Sequence, residues 1–303
     1  MSWLQVKFSS IANEADRLSD LLTDAGSVSV TFLDAADQPL FEPLPGETPL
    51  WDQTLVIGLF SADIDTEGLI GQMQQLWGDS PLPAYRWEGL EDQDWERVWL
   101  KHFKPMPFGK RLWIIPSGYT APDPAAVNIH LDPGLAFGTG THPTTAMCLR
   151  WLDRHPPLHR QVIDYGCGSG ILAIAAAKFG AAEVIATDID PQALLASNDN
   201  AKKNSVAETI STFLPQHMPS VTVDLLLANI LAGPLQQLAI HFARYTRPGG
   251  DLLLAGLLEE QATDLMAHYT QWFAMDIDQQ VEEWVCLHGT RLDTPACETS
   301  LVL

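Results

Sequence analysis

Residues 161–180 read QVIDYGCGSGILAIAAAKFG, and the order of residue types in them decides the fold. An apolar run through Val162 and Ile163 ends in Asp164, glycines follow at 166, 168 and 170, and Ile171 opens an alanine-rich stretch with helical character. Strand, glycine turn and helix in that order form the first half of a βαβ unit. The pattern then recurs. EVIATDID (183–190) precedes PQALLASNDNAKKN, VDLLLANI (223–230) precedes GPLQQLAIHFARYT, and DLLLAGLL (251–258) precedes EEQATDLMAHYTQWF. Apolar strands alternating with amphipathic helices predict a doubly wound, Rossmann-like α/β fold with a parallel sheet covered on both faces. AMDIDQQVEEWVCLHGTRL (274–292) reads as two strands with no helix between them, and residues 293–303 carry no pattern.

Upstream, the rhythm differs. WLQVKFS (3–9), VSVTFLD (28–34), TLVIGLF (54–60) and AYRWEGL (84–90) have strand character, while 13–26 and 67–78 carry helical spacing and end on Gly26 and Gly78. Strand, helix, strand, strand, helix, strand is the split βαβ order of a small ferredoxin-like α+β domain. The proline-rich PLFEPLPGETP (39–49) is a long loop between its middle strands, and DWERVWLKHFK (94–104) reads as a connecting helix. The expected organisation is a first domain at 1–92, a linker at 93–110, a second domain at 111–292 and a tail at 293–303.

The 303-residue chain has a net charge of −21, unevenly placed: residues 1–100 hold 4 Lys+Arg against 18 Asp+Glu. Such a surface disfavours nucleic acid and anionic lipid and attracts a basic partner. A mildly basic stretch, RVWLKHFKPMPFGKR (97–111), follows it. No apolar run is long enough to span a membrane; the longest candidate, 171–186, is broken by Lys178 and Glu183. The start MSWLQVKFSS lacks a secretory pattern, and cysteines 148, 167, 286 and 297 have neither CxxC nor metal spacing. Reduced thiols and a cytoplasmic location are expected. His155 and His159 have metal-like spacing, but Pro156 and Pro157 between them point to surface residues.

The glycines after Asp164 let the backbone turn sharply and approach a ligand, at the strand edge where open α/β sheets bind their ligands. Their spacing is G-x-G-x-G, and Ile171 stands where a dinucleotide fingerprint has its last glycine. Asp188 ends the next strand 22 residues after Gly166, placed to accept hydrogen bonds from both ribose hydroxyls of an adenosine. Asp190 before Pro191 reads instead as a helix cap. A third element, HLDPGLAFGTGTHPTT (130–145), brings Phe137, several glycines and the hydroxyls of Thr144 and Thr145 to a helix N-terminus that welcomes a carboxylate. S-adenosylmethionine, with a zwitterionic tail in place of a pyrophosphate, fits this set better than NAD. Asn229, just past an apolar strand and ahead of Gly233-Pro234, can orient an amine lone pair through its carbonyl.

LDPGLAFGTGTHPTT, VIDYGCGSGILAIAAAKFGA, TDIDPQAL and ANILAGPL together resemble the ribosomal protein L11 methyltransferases (PrmA) along residues 1–292. The FGTGTHPTT segment is much more specific to that family than the glycine turn, which all class I methyltransferases share. The resemblance implies a small N-terminal substrate-recognition domain and a class I methyltransferase domain using S-adenosylmethionine. It implies cofactor contacts at Thr145, Gly166, Asp188 and Asn229, to which Phe137, Thr144, Asp164 and Gly168 are added from their places in the same motifs. Asn229 is also the candidate catalytic residue. The implied substrate is a basic large-subunit ribosomal protein, methylated on its N-terminal amine and lysines. From the sequence itself a monomer is expected, with no direct hold on nucleic acid or membrane.

Three rivals follow from the same residues. Another class I methyltransferase, acting on another protein amine or amide or on nucleic acid, is disfavoured by ANILAGPL, which lacks an Asn-Pro-Pro-Tyr-type clamp, and by the acidity. An NAD-dependent oxidoreductase is disfavoured by Ile171, and a non-catalytic adaptor by the intact motifs.

Overall fold

In the first of two units, Met1–Trp95, alternation and helical spacing have the outcome expected of them. The computed structural model describes residues 3–36, 38, 49–90, 104–132 and 140–293. Strand β1 (Trp3–Ile11) buries Val6 and Phe8 on one side, and α1 (Ala12–Asp24) buries Ala15, Leu18, Leu21 and Leu22. After β2 (Ser29–Asp34) and β3 (Gln53–Ser61), helix α2 (Thr66–Trp77) starts at Asp65, whose carboxylate accepts from the Gly68 N–H at 3.1 Å. Strand β4 (Tyr85–Leu90) completes an antiparallel sheet of order β2-β3-β1-β4. That is the ferredoxin-like arrangement, with Leu18, Leu22, Met73 and Trp77 of the helices packed into the same core as Val6, Phe8, Val56 and Phe60. The expected connecting helix at 94–104 and most of the 39–49 loop lie outside the described residues.

The second unit, Glu96–Leu303, opens with a small sheet that periodicity did not reveal. Strands β5 (Met106–Phe108), β6 (Leu112–Ile115) and β7 (Val127–His130) are only three or four residues long and flanked by prolines. They bury Phe108, Leu112, Ile114 and Ile129 against the main core. Asn204 stands in for a missing strand at the edge of β7, its side-chain amide accepting from the His130 N–H at 2.7 Å and donating to the His130 carbonyl at 2.8 Å.

Helix α3 (Pro143–Arg154) follows, then β8 (Gln161–Tyr165), α4 (Ile171–Lys178), β9 (Glu183–Thr187), α5 (Pro191–Lys203) and β10 (Ile210–Phe213). The second half runs β11 (Val223–Asn229), α6 (Ala232–Tyr245), β12 (Thr246–Leu258), α7 (Glu259–Tyr269), β13 (Phe273–Val281) and β14 (Trp284–Arg291). The sheet order is β10-β9-β8-β11-β12-β14-β13. Successive residues of the central strands serve opposite faces: Val162, Leu225 and Leu227 join the core with α3 and α4, while Ile163, Leu226 and Ala228 join the core with α6 and α7. This double burial explains why the strands read as unbroken apolar runs. The sheet is not parallel throughout. Strand β14 enters antiparallel between β12 and β13, because a two-residue turn at Glu282 and Glu283 has no room for the crossover a parallel neighbour needs.

After β8 the chain winds one way through β9 and β10; after β11 it winds the other way. The loops leaving β8 and β11 therefore diverge, and a crevice opens at the carboxyl ends of these neighbours.

Candidate active site

A cavity of about 650 Å³ fills that crevice, a size typical of small-molecule sites. Seven of the residues singled out from the sequence line it: Thr144, Thr145, Asp164, Gly166, Gly168, Asp188 and Asn229. Phe137 lies outside the described residues.

The floor is the glycine turn. Gly166 has φ +77°, and a Cβ there would collide with Cγ2 of Ile230 from the loop after β11. The N–H groups of Gly166 and Cys167 both donate to the Thr187 carbonyl, at 2.8 and 3.0 Å, which ties the turn to the end of β9. From behind, Ser197 of α5 donates to the Gly168 carbonyl and Asn200 to the Ser169 carbonyl, each at 2.9 Å. The turn is thus held open by its neighbours before any ligand arrives. Cys167 is part of this brace, with Sγ 3.3 Å from Ser197 Oγ, and burial pushes its thiol pKa up.

Two carboxylates face the cavity in different surroundings. Asp188 is half-buried; one oxygen accepts from the Gly168 N–H at 2.9 Å and the other from the Asp190 N–H at 3.0 Å. Each oxygen keeps a second lone pair for a ligand hydroxyl. Asp164 is 1% exposed. Burial pushes its pKa up to about 7, against the opposing Ala173 N–H donated at 2.9 Å, and the charge of Asp188 adds to the rise. Asp190 faces elsewhere and caps α5 by accepting from the Gln192 N–H at 2.9 Å, with Pro191 next in line. The expected cap is in place, and of these two it is Asp188 that lines the cavity.

The far wall comes from α3 and β11. Thr144 and Thr145 occupy the first turn of α3 and are both buried. The cap itself is His142, whose Nδ1 lies 2.8 Å from Thr144 Oγ1 and accepts from the Thr144 N–H at 3.4 Å. Asn229 Nδ2 donates to Thr145 Oγ1 at 3.1 Å across 84 positions of sequence. That bond fixes the amide, and Oδ1 of Asn229 has no protein partner among the described residues.

Four further lining residues escaped the sequence reading. The His142 ring packs edge-on to Trp284 at 4.8 Å, and burial lowers its pKa despite the charge of Glu283. Trp284 arrives from β14 with no local signal at all. Ile189, beside Asp188, is 84% exposed, an apolar face presented at the mouth. Gly256 has φ +89°, and a Cβ there would strike the backbone of Ile230; a glycine interrupting an otherwise apolar strand was the available sign of such an approach. His155 and His159 are exposed, and no cluster of three metal-ligating side chains occurs among the described residues.

A doubly wound sheet with a glycine turn after one strand, an acid after the next and an Asn–Thr bridge over the same crevice defines a class I methyltransferase. The chain belongs to the ribosomal protein L11 methyltransferase family (PrmA), whose model matches residues 2–292. It is 52% identical over 293 residues to the ribosomal protein L11 methyltransferase of Aeromonas hydrophila, covering 96% of this chain and 100% of that one. The namesake in Pseudomonas putida is 51% identical over 292 residues, with 96% and 100% covered. Among solved structures, the ribosomal protein L11 methylase of Lactobacillus delbrueckii superposes with a TM-score of 0.58 at 31% identity, over 63% of this chain and 100% of that one.

Proposed function

We propose that this chain transfers methyl groups from S-adenosylmethionine to ribosomal protein L11, on its N-terminal amine and on lysine side chains. The observation that carries the reading is the meeting of Asp188, the glycine turn and the Asn229–Thr145 bridge in one cavity at the switch point. When bound there, the cofactor supplies an electrophilic methyl group on a cationic sulfur. Asp188 accepts from the ribose hydroxyls with its free lone pairs, and Ile189 offers an apolar surface to the base. Gly166 and Gly168 let the main chain pass close beneath. Asp164, ionised, faces the ammonium of the amino-acid tail, while Thr144 and Thr145 at the start of α3 receive its carboxylate. Phe137 joins this set on its place in the same motif.

The reacting amine must be neutral. For a lysine at pH 7 that costs about 4.6 kcal/mol, and for an α-amino group about 1.4 kcal/mol. Asn229 Oδ1 accepts one amine hydrogen and so aims the lone pair, which makes alignment rather than strong base catalysis the main contribution of the protein. Desolvation in the cavity favours the neutral amine. The acidic unit Met1–Trp95 recruits the basic substrate as the recognition domain, joined through the 93–110 segment to the catalytic one. The chain works as a cytoplasmic monomer with no direct hold on nucleic acid or membrane; no described helix is long and apolar enough to cross one.

Incubation with methyl-labelled S-adenosylmethionine and purified L11 tests the reading. Label on the N-terminal amine and lysines, lost in Asn229→Ala, supports it. Label on an amide or on RNA, or none at all, overturns it.

A further inference from the structure

We propose that a second cavity, of about 550 Å³ between the turn Gly109–Arg111 and the C-terminal half of α3, is a binding site for a small phosphate-bearing ligand. It shares no lining residue with the cofactor cavity. Lys110, Arg111, Arg150 and Arg154 surround it, which is conspicuous in a chain with only 17 Lys+Arg against 38 Asp+Glu.

Part of this charge is committed. The buried Asp153 carboxylate accepts from the backbone N–H groups of Lys110 and Arg111, at 2.8 and 3.1 Å, and from Arg111 Nε at 3.3 Å. Arg154 pairs with Asp278 at 2.5 Å. The guanidinium of half-buried Arg150 and the ammonium of Lys110 have no partner among the described residues. Four cations against two carboxylates leave a local surplus of two positive charges, in a concave site that focuses the field. A guanidinium fork with a neighbouring ammonium matches the oxygens of a phosphate. The turn is anchored in advance: a Cβ at Gly109 would run into the Asp153 side chain, so the cations sit on a fixed frame.

The size of the ligand follows from the surroundings. Residues 101–303 carry 13 Lys+Arg against 20 Asp+Glu, so a long polyanion such as RNA meets net repulsion beyond the rim, whereas a small dianion feels the four cations. Calorimetry on the full chain, with inorganic phosphate as probe and chloride at matched ionic strength as reference, tests this. A single-stranded RNA oligomer forms a second arm. Expected is saturable binding of one phosphate per chain, weakened at least about tenfold by Arg150→Gln and by Lys110→Gln, with S-adenosylmethionine binding unchanged in both variants as the check on folding. Absence of saturable phosphate binding, or equal binding by the variants, overturns the proposal. So does binding of RNA without phosphate, which would make the cavity a nucleic-acid contact.

Discussion

Replacing Asp164 by Asn should make the ligand-free protein more stable, and by an amount that depends on pH. An aspartate carboxyl in an unfolded chain has the ordinary pKa of 3.8, and burial pushes that of Asp164 up to about 7 in the folded protein. A gap of about three units corresponds to about 4 kcal/mol. The folded state holds its proton more tightly, so its stability is whole below pH 4 and falls as the pH rises through 7, where both states are ionised and the buried charge is fully felt. Asn keeps the oxygen that accepts from the Ala173 N–H but does not titrate. Urea melts of both proteins, followed by tryptophan fluorescence from pH 4 to pH 8, isolate this group in their difference, since every other titration is common to both. The stability difference should start near zero and grow to as much as about 4 kcal/mol in favour of the variant. Cofactor binding should move the opposite way, weakened in the variant and, in the wild type, strengthening from pH 6 to pH 8 as the carboxylate forms. A stability difference that is flat across this range would show that the site does not penalise the charge, and the reasoning would fail.

Asp188→Ala removes two hydrogen bonds to a charged acceptor, each worth about 1.5–3 kcal/mol, so cofactor affinity by calorimetry should drop at least about a hundredfold; a drop of a few fold would refute the ribose assignment. Gly256→Ala forces a Cβ against the Ile230 backbone at positive φ and should cost at least about 2 kcal/mol in denaturant melts, so an unchanged midpoint would show that the loop after β11 is not held as described. Raising salt should increase KM for L11 and leave the cofactor Kd nearly unchanged, and a parallel loss of both would dissociate recognition from the acidic unit.

Much of this site is local chemistry and could be read directly. A strand that ends in Asp164, turns on glycines and restarts as a helix brings its own binding edge with it. Asp190-Pro191 caps a helix by a mechanism confined to three residues, and the unbroken apolar strands announce that both sheet faces are covered. In the first unit, period-two alternation and helical spacing led to the observed strand order because hairpin and crossover connections leave few topologies open.

What sequence could not reach depends on distance along the chain. Trp284 meets His142 only because β14 folds back between β12 and β13, and nothing near residue 284 announces that. The partner of Asn229 is Thr145, brought to the carboxyl end of β11 by the packing of helix α3 on one face of the sheet. The short strands β5 to β7 carry too few residues for a period, and Asn204 reveals itself as a strand surrogate only once β7 lies beside it. Asp164 illustrates the division most clearly: its place at a ligand-binding edge is a matter of sequence, whereas its raised pKa is a property of the surrounding core, which removes water from the carboxyl and is assembled from segments far apart in the chain.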